Sequence, residues 1–359
     1  MRSTTEFPGQ ELRPPTPART VVAMAFAVVI ALVGLTAGAC TKKVDHVAGG
    51  GSVKGSIIIS GSSTVEPITA LAAEDFMGVN PGADVSVDGP GTGDGFKLFC
   101  DGSTDIANAS RPIKPAEVEA CDAAGVSFVE LEIGIDGLSV VAPESNRMDC
   151  LNFADLYALI GPESEGFTNW RDARPLSAEL GSDTGFPDRN LVITAPGTES
   201  GTYDSFVELV IEPTADARVE SGHLAEDRVG TARADYSASP DDNAIIEGVT
   251  ADPGGLGWVG FAFASVADGV RLMPIAEEPG GDCVEPTVET IQDGSYPIAR
   301  RLFVYVNVAS ARRPAVSAFV DFYLDGIDDF VSAVDYIPLA DYRPTQEAWV
   351  QRREGPGRR

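Results

Sequence analysis

The sequence predicts an α/β protein. Short β-branched runs alternate with helical patterns along most of the chain, no internal repeat interrupts that alternation, and 359 residues suffice for about two packed domains. Residues 56–60, with Ile57, Ile58 and Ile59, read as a buried strand. Residues 65–77 read as a helix with Ile68, Leu71, Ala72 and Phe76 on one side. A strand over 84–88, a glycine loop and a helical turn over 96–100 follow. Further strands are expected over 105–109, 127–133, 138–142, 191–194 and 301–308, and further helices over 115–124, 153–160, 202–210 and 315–324. The stretch 161–190, rich in Gly, Pro, Ser and Asp, reads as a surface excursion, and Arg352, Arg353, Arg358 and Arg359 as a frayed, solvated end. Residues 254–261 read as a glycine-lined packed strand, with an aromatic ligand platform at Trp258 as the alternative.

Charge narrows the function. With 26 Lys and Arg against 54 Asp and Glu, the net charge of −28 repels nucleic acid and anionic lipid. A hydrophobic share of 43% with no long polar tract fits a folded chain and not a disordered one. Two histidines, His46 and His223, limit histidine chemistry.

The N-terminus has the layout of an export signal: Arg2, Arg13 and Arg19 precede an uncharged apolar run over 21–39 that ends at small residues before Cys40. The segment 35–40 resembles a lipobox, which makes 1–39 a lipoprotein-type signal peptide and Cys40 the lipidated mature N-terminus. Ala37 stands where lipoboxes usually carry Leu, and Glu6 and Glu11 interrupt the leading segment. An uncleaved anchor is the alternative, since about 20 apolar residues span a bilayer. Residues 40–55, with Gly49, Gly50 and Gly51, read as a flexible tether, and the bulk of the chain is expected outside the membrane. Four cysteines remain, an even number suited to an oxidising space. Cys100 is paired with Cys121 by proximity along the chain and Cys150 with Cys283, two other connectivities being formally open. No C-x-x-C or H-x-x-x-H spacing supports a metal site, and no cofactor is expected.

Three loops share one design. Residues 61–64 (Gly-Ser-Ser-Thr) follow the first strand and open the first helix, where free backbone N–H groups and the helix dipole favour an anion and the hydroxyls of Ser63 and Thr64 add donors. Simple N-capping is the bland reading of such a loop. Residues 89–95 (Gly-Pro-Gly-Thr-Gly-Asp-Gly) again lie between strand and helix, and glycine lets successive N–H groups converge on an anion. This is neither a P-loop nor a dinucleotide fingerprint, because no Gly-Lys-Ser/Thr ends it and Asp94 breaks G-x-G-x-x-G. Residues 197–202 (Gly-Thr-Glu-Ser-Gly-Thr) form the third loop. Arg111, directly after a strand, can clamp a tetrahedral oxyanion.

Four segments together resemble the phosphate-binding lipoproteins of bacterial phosphate ABC transporters: 61–68 (GSSTVEPI), 105–113 (DIANASRPI), 200–204 (SGTYD) and 296–307 (YPIARRLFVYVN). The likeness runs from about residue 55 to about residue 345. It implies a two-lobed type II periplasmic binding protein fold with a hinge and a central ligand cleft. One lobe would span 55–137 plus 299–345, the other 138–298, with 346–359 as a tail. Neither expected disulfide would then bridge the lobes. Carried over residue by residue, it makes Thr64 and the N–H of Val65 ligands from the first loop, Thr92 from the second, and Ser200, Gly201 and Thr202 from the third. In the best-known branch of the family an Asp stands where this chain has Arg111, and an Arg where it has Pro196. A carboxylate that accepts a phosphate proton separates phosphate from sulfate, and Asp94 is the preferred candidate for it, with Glu199 second.

The leading expectation is a monomeric, membrane-anchored, extracytoplasmic solute-binding protein that captures inorganic phosphate and delivers it to permease subunits. Another tetrahedral oxyanion (sulfate, molybdate, tungstate) and a phosphate-sensing surface lipoprotein are the alternatives. A serine hydrolase is disfavoured: Ser200 does not sit in G-x-S-x-G, and only His223 could be its base.

Overall fold

A computed structural model describes residues 53–356; the expected signal segment, Cys40 and His46 lie outside the described residues. The described strands are β1 (Lys54–Gly61), β2 (Gly82–Asp88), β3 (Ile106–Ala109), β4 (Phe128–Pro143), β5 (Leu151–Asn152), β6 (Val192–Ala195), β7 (Ser237–Ala238), β8 (Gly255–Gly260), β9 (Val270–Leu272), β10 (Ile275–Ala276) and β11 (Ala299–Asn307). Nine share one sheet in the order β2-β1-β3-β11-β4-β8-β6-β7, with β9 also paired to β4. β1 is parallel to β2 and β3, β11 is antiparallel to β3 and β4, and β4 is antiparallel to β8. Helices α1 (Glu66–Val79), α2 (Thr92–Cys100) and α3 (Pro115–Ala124) follow β1, β2 and β3 in turn, the alternation that the β-branched runs predict.

Two large hydrophobic clusters fill the molecule. One gathers Ile57, Ile68, Phe76, Leu131, Val304 and Phe319; the other gathers Val140, Leu156, Trp170, Ile193, Phe206 and Trp258. Each buried aromatic or branched side chain contributes about 1.5–3 kcal/mol relative to exposure. The chain passes between the clusters along β4, where Ile133 belongs to one and Ile135 to the other, and along β11, after Ile298 in one and before Leu302 in the other. At this junction β4 and β11 remain paired, with Arg300 opposite Asp136.

Several expectations are corrected. The strands expected over 127–133 and 138–142 are one 16-residue strand. The glycines between them answer to close packing rather than to a turn: a Cβ on Gly134 would lie 3.0 Å from a Val331 methyl, and one on Gly137 would lie 3.0 Å from Ile291. The stretch 161–190 is no surface excursion, because Trp170, Leu176 and Phe186 anchor it in the second core. The C-terminal end is docked up to Gly355: Arg343–Val350 is a helix, Trp349 is buried, and the Arg352 guanidinium covers the Trp349 ring at 3.4 Å. The helix expected over 202–210 starts at Gly201 and runs through a π segment, Val207–Ile211, into Glu212–Glu220. Pro213 has no N–H for the fourth residue back, and the Glu212 N–H bonds Val207 instead. The packed strand expected over 254–261 is present as Gly255–Gly260, and its Trp258 is core, stacked on Phe206 at 4.4 Å between ring centres. Both disulfides are paired as expected, Cys100 with Cys121 and Cys150 with Cys283.

Candidate functional site

The first two loops meet because β1 and β2 are parallel neighbours whose ends lie side by side, with α1 leaving on one face of the sheet and α2 on the other. The Gly91 N–H donates to the Gly61 carbonyl at 2.8 Å, and α2 packs so closely on the end of β1 that a Cβ on Gly95 would lie 2.4 Å from the Gly61 Cα. Only glycine permits that contact. A cavity of about 380 Å³ opens beside them. Its first wall carries Ser62, Ser63, Thr64, Gly91, Thr92, Gly93, Ser110 and Arg111. Here α2 begins with no side-chain cap, so its first N–H groups and dipole face the cavity. Thr92 Oγ1 lies 3.1 Å from Ser110 Oγ and accepts the Ser110 N–H, which fixes both hydroxyls.

Arg111 is aimed by contacts to Pro112, Glu117 and Phe96, its Nη1 donating to the Pro112 carbonyl at 3.1 Å. Its Nη1 and Nη2 donate to Glu117 at 2.8 and 2.7 Å, and its Cζ lies 5.5 Å from the Phe96 ring centre. Glu117 is fixed in turn by the Lys114 N–H at 2.7 Å. Burial pushes the Glu117 carboxyl up, but the Arg111 fork and the Lys114 N–H outweigh it, so the group stays ionised below the usual carboxylate range. The Glu117 hydrogen bonds hold the Arg111 guanidinium above its ordinary value. A guanidinium has five N–H groups, so a carboxylate fork on one edge leaves donors for the cavity.

The opposite wall comes from the second half of the molecule and carries Tyr203, Asp204, Val207, Glu208 and Glu212. The helix bearing them starts beside the first loop, where a Cβ on Gly201 would lie 3.9 Å from the Thr64 Cα. Ser63 Oγ donates to Asp204 Oδ2 across the cavity at 3.2 Å. Burial pushes the Asp204 carboxyl up, opposed by Ser63 and Arg300; burial and then the charge of Glu208 push Glu212 up.

Behind the cavity lies a buried polar cluster at the junction of the halves. Arg300 Nη2 donates to Thr64 Oγ1 at 2.8 Å and Ser205 Oγ at 2.6 Å, its Nε approaches Asp136 Oδ2 at 3.4 Å, and its Nη1 contacts Glu208. Ser205 Oγ also donates to Asp136 at 2.7 Å.

The structure brings Ser63, Thr64, Thr92 and Arg111 together on the cavity. Val65 is buried beside them, with its N–H turned into the loop on the Ser62 carbonyl at 3.2 Å. Asp94, the expected proton acceptor, is off the cavity: its side chain is 59% exposed and pairs with Lys97 at 2.7 Å. Glu199, the second choice, folds back over Gly197. Ser200 caps its helix by accepting the Thr202 N–H at 3.2 Å, and none of the third-loop candidates Ser200, Gly201 and Thr202 lines the cavity, whose wall begins at Tyr203. His223 faces Ser221 and Glu179. Sequence reasoning missed Asp136, Asp204, Glu208, Glu212 and Arg300 as site residues. A signal existed for the carboxylates, since Asp204, Glu208 and Glu212 recur every four residues on one helical face.

Comparison with known proteins matches this picture. The PBP superfamily domain matches residues 46–326. The protein SphX of Synechococcus elongatus is 38% identical over 79% of this chain and 77% of its own length. The phosphate-binding protein PstS of Staphylococcus saprophyticus is 31% identical over 84% of this chain and 85% of its own. Among solved structures, a possible phosphate binding protein from Planctomyces limnophilus superposes with a TM-score of 0.74 at 33% identity, covering 84% of this chain and 99% of that one.

Proposed function

The chain belongs to the PBP superfamily, with SphX and PstS proteins among its relatives, and on that premise we propose that it captures inorganic phosphate outside the cytoplasm for an ABC transporter. One observation carries the reading: hydroxyls, an uncapped helix start and a clamped arginine converge on one cavity between the two halves. Fixed dipoles and one guanidinium hold an oxyanion locally, while the acidic exterior is screened beyond about 8 Å at physiological salt. Ser63, Thr64, Thr92, Ser110 and Arg111 are the donors in this reading. The lobes would be 55–137 plus 299–345 and 138–298, hinged where β4 and β11 cross. Cys40 would carry the lipid that keeps the protein beside its permease.

The proton acceptor moves from Asp94 to Asp204. Phosphate near neutral pH keeps an O–H and sulfate has none, so a half-buried carboxylate facing the donors accepts from one and repels the other. Calorimetry on the full-length chain with phosphate, sulfate and molybdate tests the ligand: saturable heat with phosphate alone supports the reading, and heat with sulfate or molybdate alone overturns it. Asp204→Asn is expected to reduce the phosphate-over-sulfate preference at least tenfold, the ~1.4 kcal/mol attached to one such contact. An unchanged preference removes Asp204 from the role.

A further inference from the structure

Among the described residues Arg300 is the one cation in the buried cluster behind the cavity, and its side chain is only 7% exposed. Its contacts divide between the halves: Thr64 belongs to the first loop, and Ser205 and Glu208 to the helix of the opposite wall. Asp136, 1% exposed and opposite Arg300 on β4, is its buried partner at 3.4 Å, its carboxyl pushed up by burial against the pull of Arg300 and Ser205. Glu208 is thus a second carboxylate on the same guanidinium. Unlike Asp136, Glu208 lines the cavity, and its side chain is 40% exposed. It also sits in the π segment that Pro213 imposes, a widened turn that keeps Asp204, Glu208 and Glu212 on one wall. Thr64 and Glu208 are therefore the cavity residues that touch Arg300 directly.

We propose that Glu208 is an internal competitor for Arg300: its carboxylate holds the guanidinium Nη1 that an oxyanion in the cavity would otherwise engage, and the bound anion takes its place. The inference rests on the phosphate reading above and adds to it a second cationic anchor, drawn from the junction of the halves. Exchange costs little in charge, because one anion replaces another on the same N–H groups, while Asp136, Thr64 and Ser205 keep the rest of the guanidinium in place. An anion on Nη1 then touches a residue bonded to both halves, which links occupancy of the cavity to their relative position.

The consequence runs against ordinary expectation for a polar site residue: removing the Glu208 charge should strengthen binding. Titration of the full-length chain with inorganic phosphate, for the parent and for Glu208→Gln, Glu212→Gln and Arg300→Lys, tests it. Glu208→Gln is expected to bind phosphate about tenfold more tightly, and Glu212→Gln, on the same wall without an Arg300 contact, less than threefold more tightly. In the Arg300→Lys background the Glu208→Gln gain should shrink below threefold, because a single ammonium cannot hold Thr64, Ser205 and Asp136 and also face the cavity. Weaker or unchanged binding by Glu208→Gln overturns the inference and leaves the phosphate reading standing. So does an equal gain from Glu212→Gln, or a full gain with Lys at 300, since either reduces the effect to general repulsion. If the parent and every variant bind no phosphate, the phosphate reading and the inference fall together.

Discussion

The two walls of the cavity are opposites. The wall from the first half offers the hydroxyls of Ser63, Thr64, Thr92 and Ser110, the start of α2 and the Arg111 guanidinium, whereas the wall from the second half offers the carboxylates of Asp204, Glu208 and Glu212. A site built only to attract negative charge would not carry the second wall. The pairing suits an anion that brings its own protons: donors on one side take its oxygens, and a carboxylate on the other takes its O–H. The walls also differ in how they are held. Donors are fixed by a strand end, tight glycine contacts and the Glu117 fork, while the carboxylates ride on one helix widened by a π segment.

Removing the disulfides breaks the comparison at its scaffold and has the largest expected effect. Cys150–Cys283 closes a separation of 133 residues in the second half, and Cys100–Cys121 closes 21 between α2 and α3 on the donor side. The chain-entropy account gives a loss of about 4–5 kcal/mol for Cys150→Ser with Cys283→Ser, and about 3 kcal/mol for Cys100→Ser with Cys121→Ser. Denaturant unfolding measures both. Only the second pair should also weaken phosphate binding, because α2 and α3 carry Thr92 and the Glu117 clamp on Arg111.

Arg111→Met sharpens the donor side. A hydrogen bond to a charged group contributes about 1.5–3 kcal/mol, so calorimetry should read a 10- to 100-fold loss of phosphate affinity. A loss below threefold would mean that the hydroxyls and the α2 N-terminus suffice.

Titration sharpens the acidic side, with the smallest effect. Burial raises the Asp204 and Glu212 carboxyls in the folded chain. A carboxyl whose folded value lies above its unfolded one stabilises the fold below the unfolded value, and that contribution is lost as the pH rises through the folded value. The Asp204→Asn, Glu212→Gln double variant should therefore be more stable than the parent by about 0.5–1 kcal/mol at pH 8 and about equal to it at pH 3, as denaturant unfolding reports. A gain at pH 3 that vanishes at pH 8 would reverse the assignment.

The donor wall was legible because its chemistry is local. Residues 61–64, 89–95 and Arg111 each follow a strand, and a parallel β1–β2–β3 arrangement brings strand ends together whatever the rest of the chain does. Side-chain direction was less legible. Asp94 lies in a loop that reaches the cavity and Ser200 at the start of the helix of the opposite wall, yet one turns outward to Lys97 and the other spends its hydroxyl on a helix N-terminus, choices settled by neighbours within three residues. The Arg300–Asp136 pair could not be read from spacing at all. Its members are 164 residues apart and meet only through the register of β4 on β11, across glycines that look like a turn until Val331 and Ile291 are seen packed on them.

The central claim is that one proton-bearing oxyanion sits between a donor wall and an acceptor wall. Crystals of the protein grown with phosphate test it directly. The account predicts phosphate oxygens within hydrogen-bond distance of Thr92 and Arg111 on one side and of the Asp204 carboxylate on the other. Phosphate bound away from these residues, or held by the donor wall with Asp204 turned aside, would contradict it.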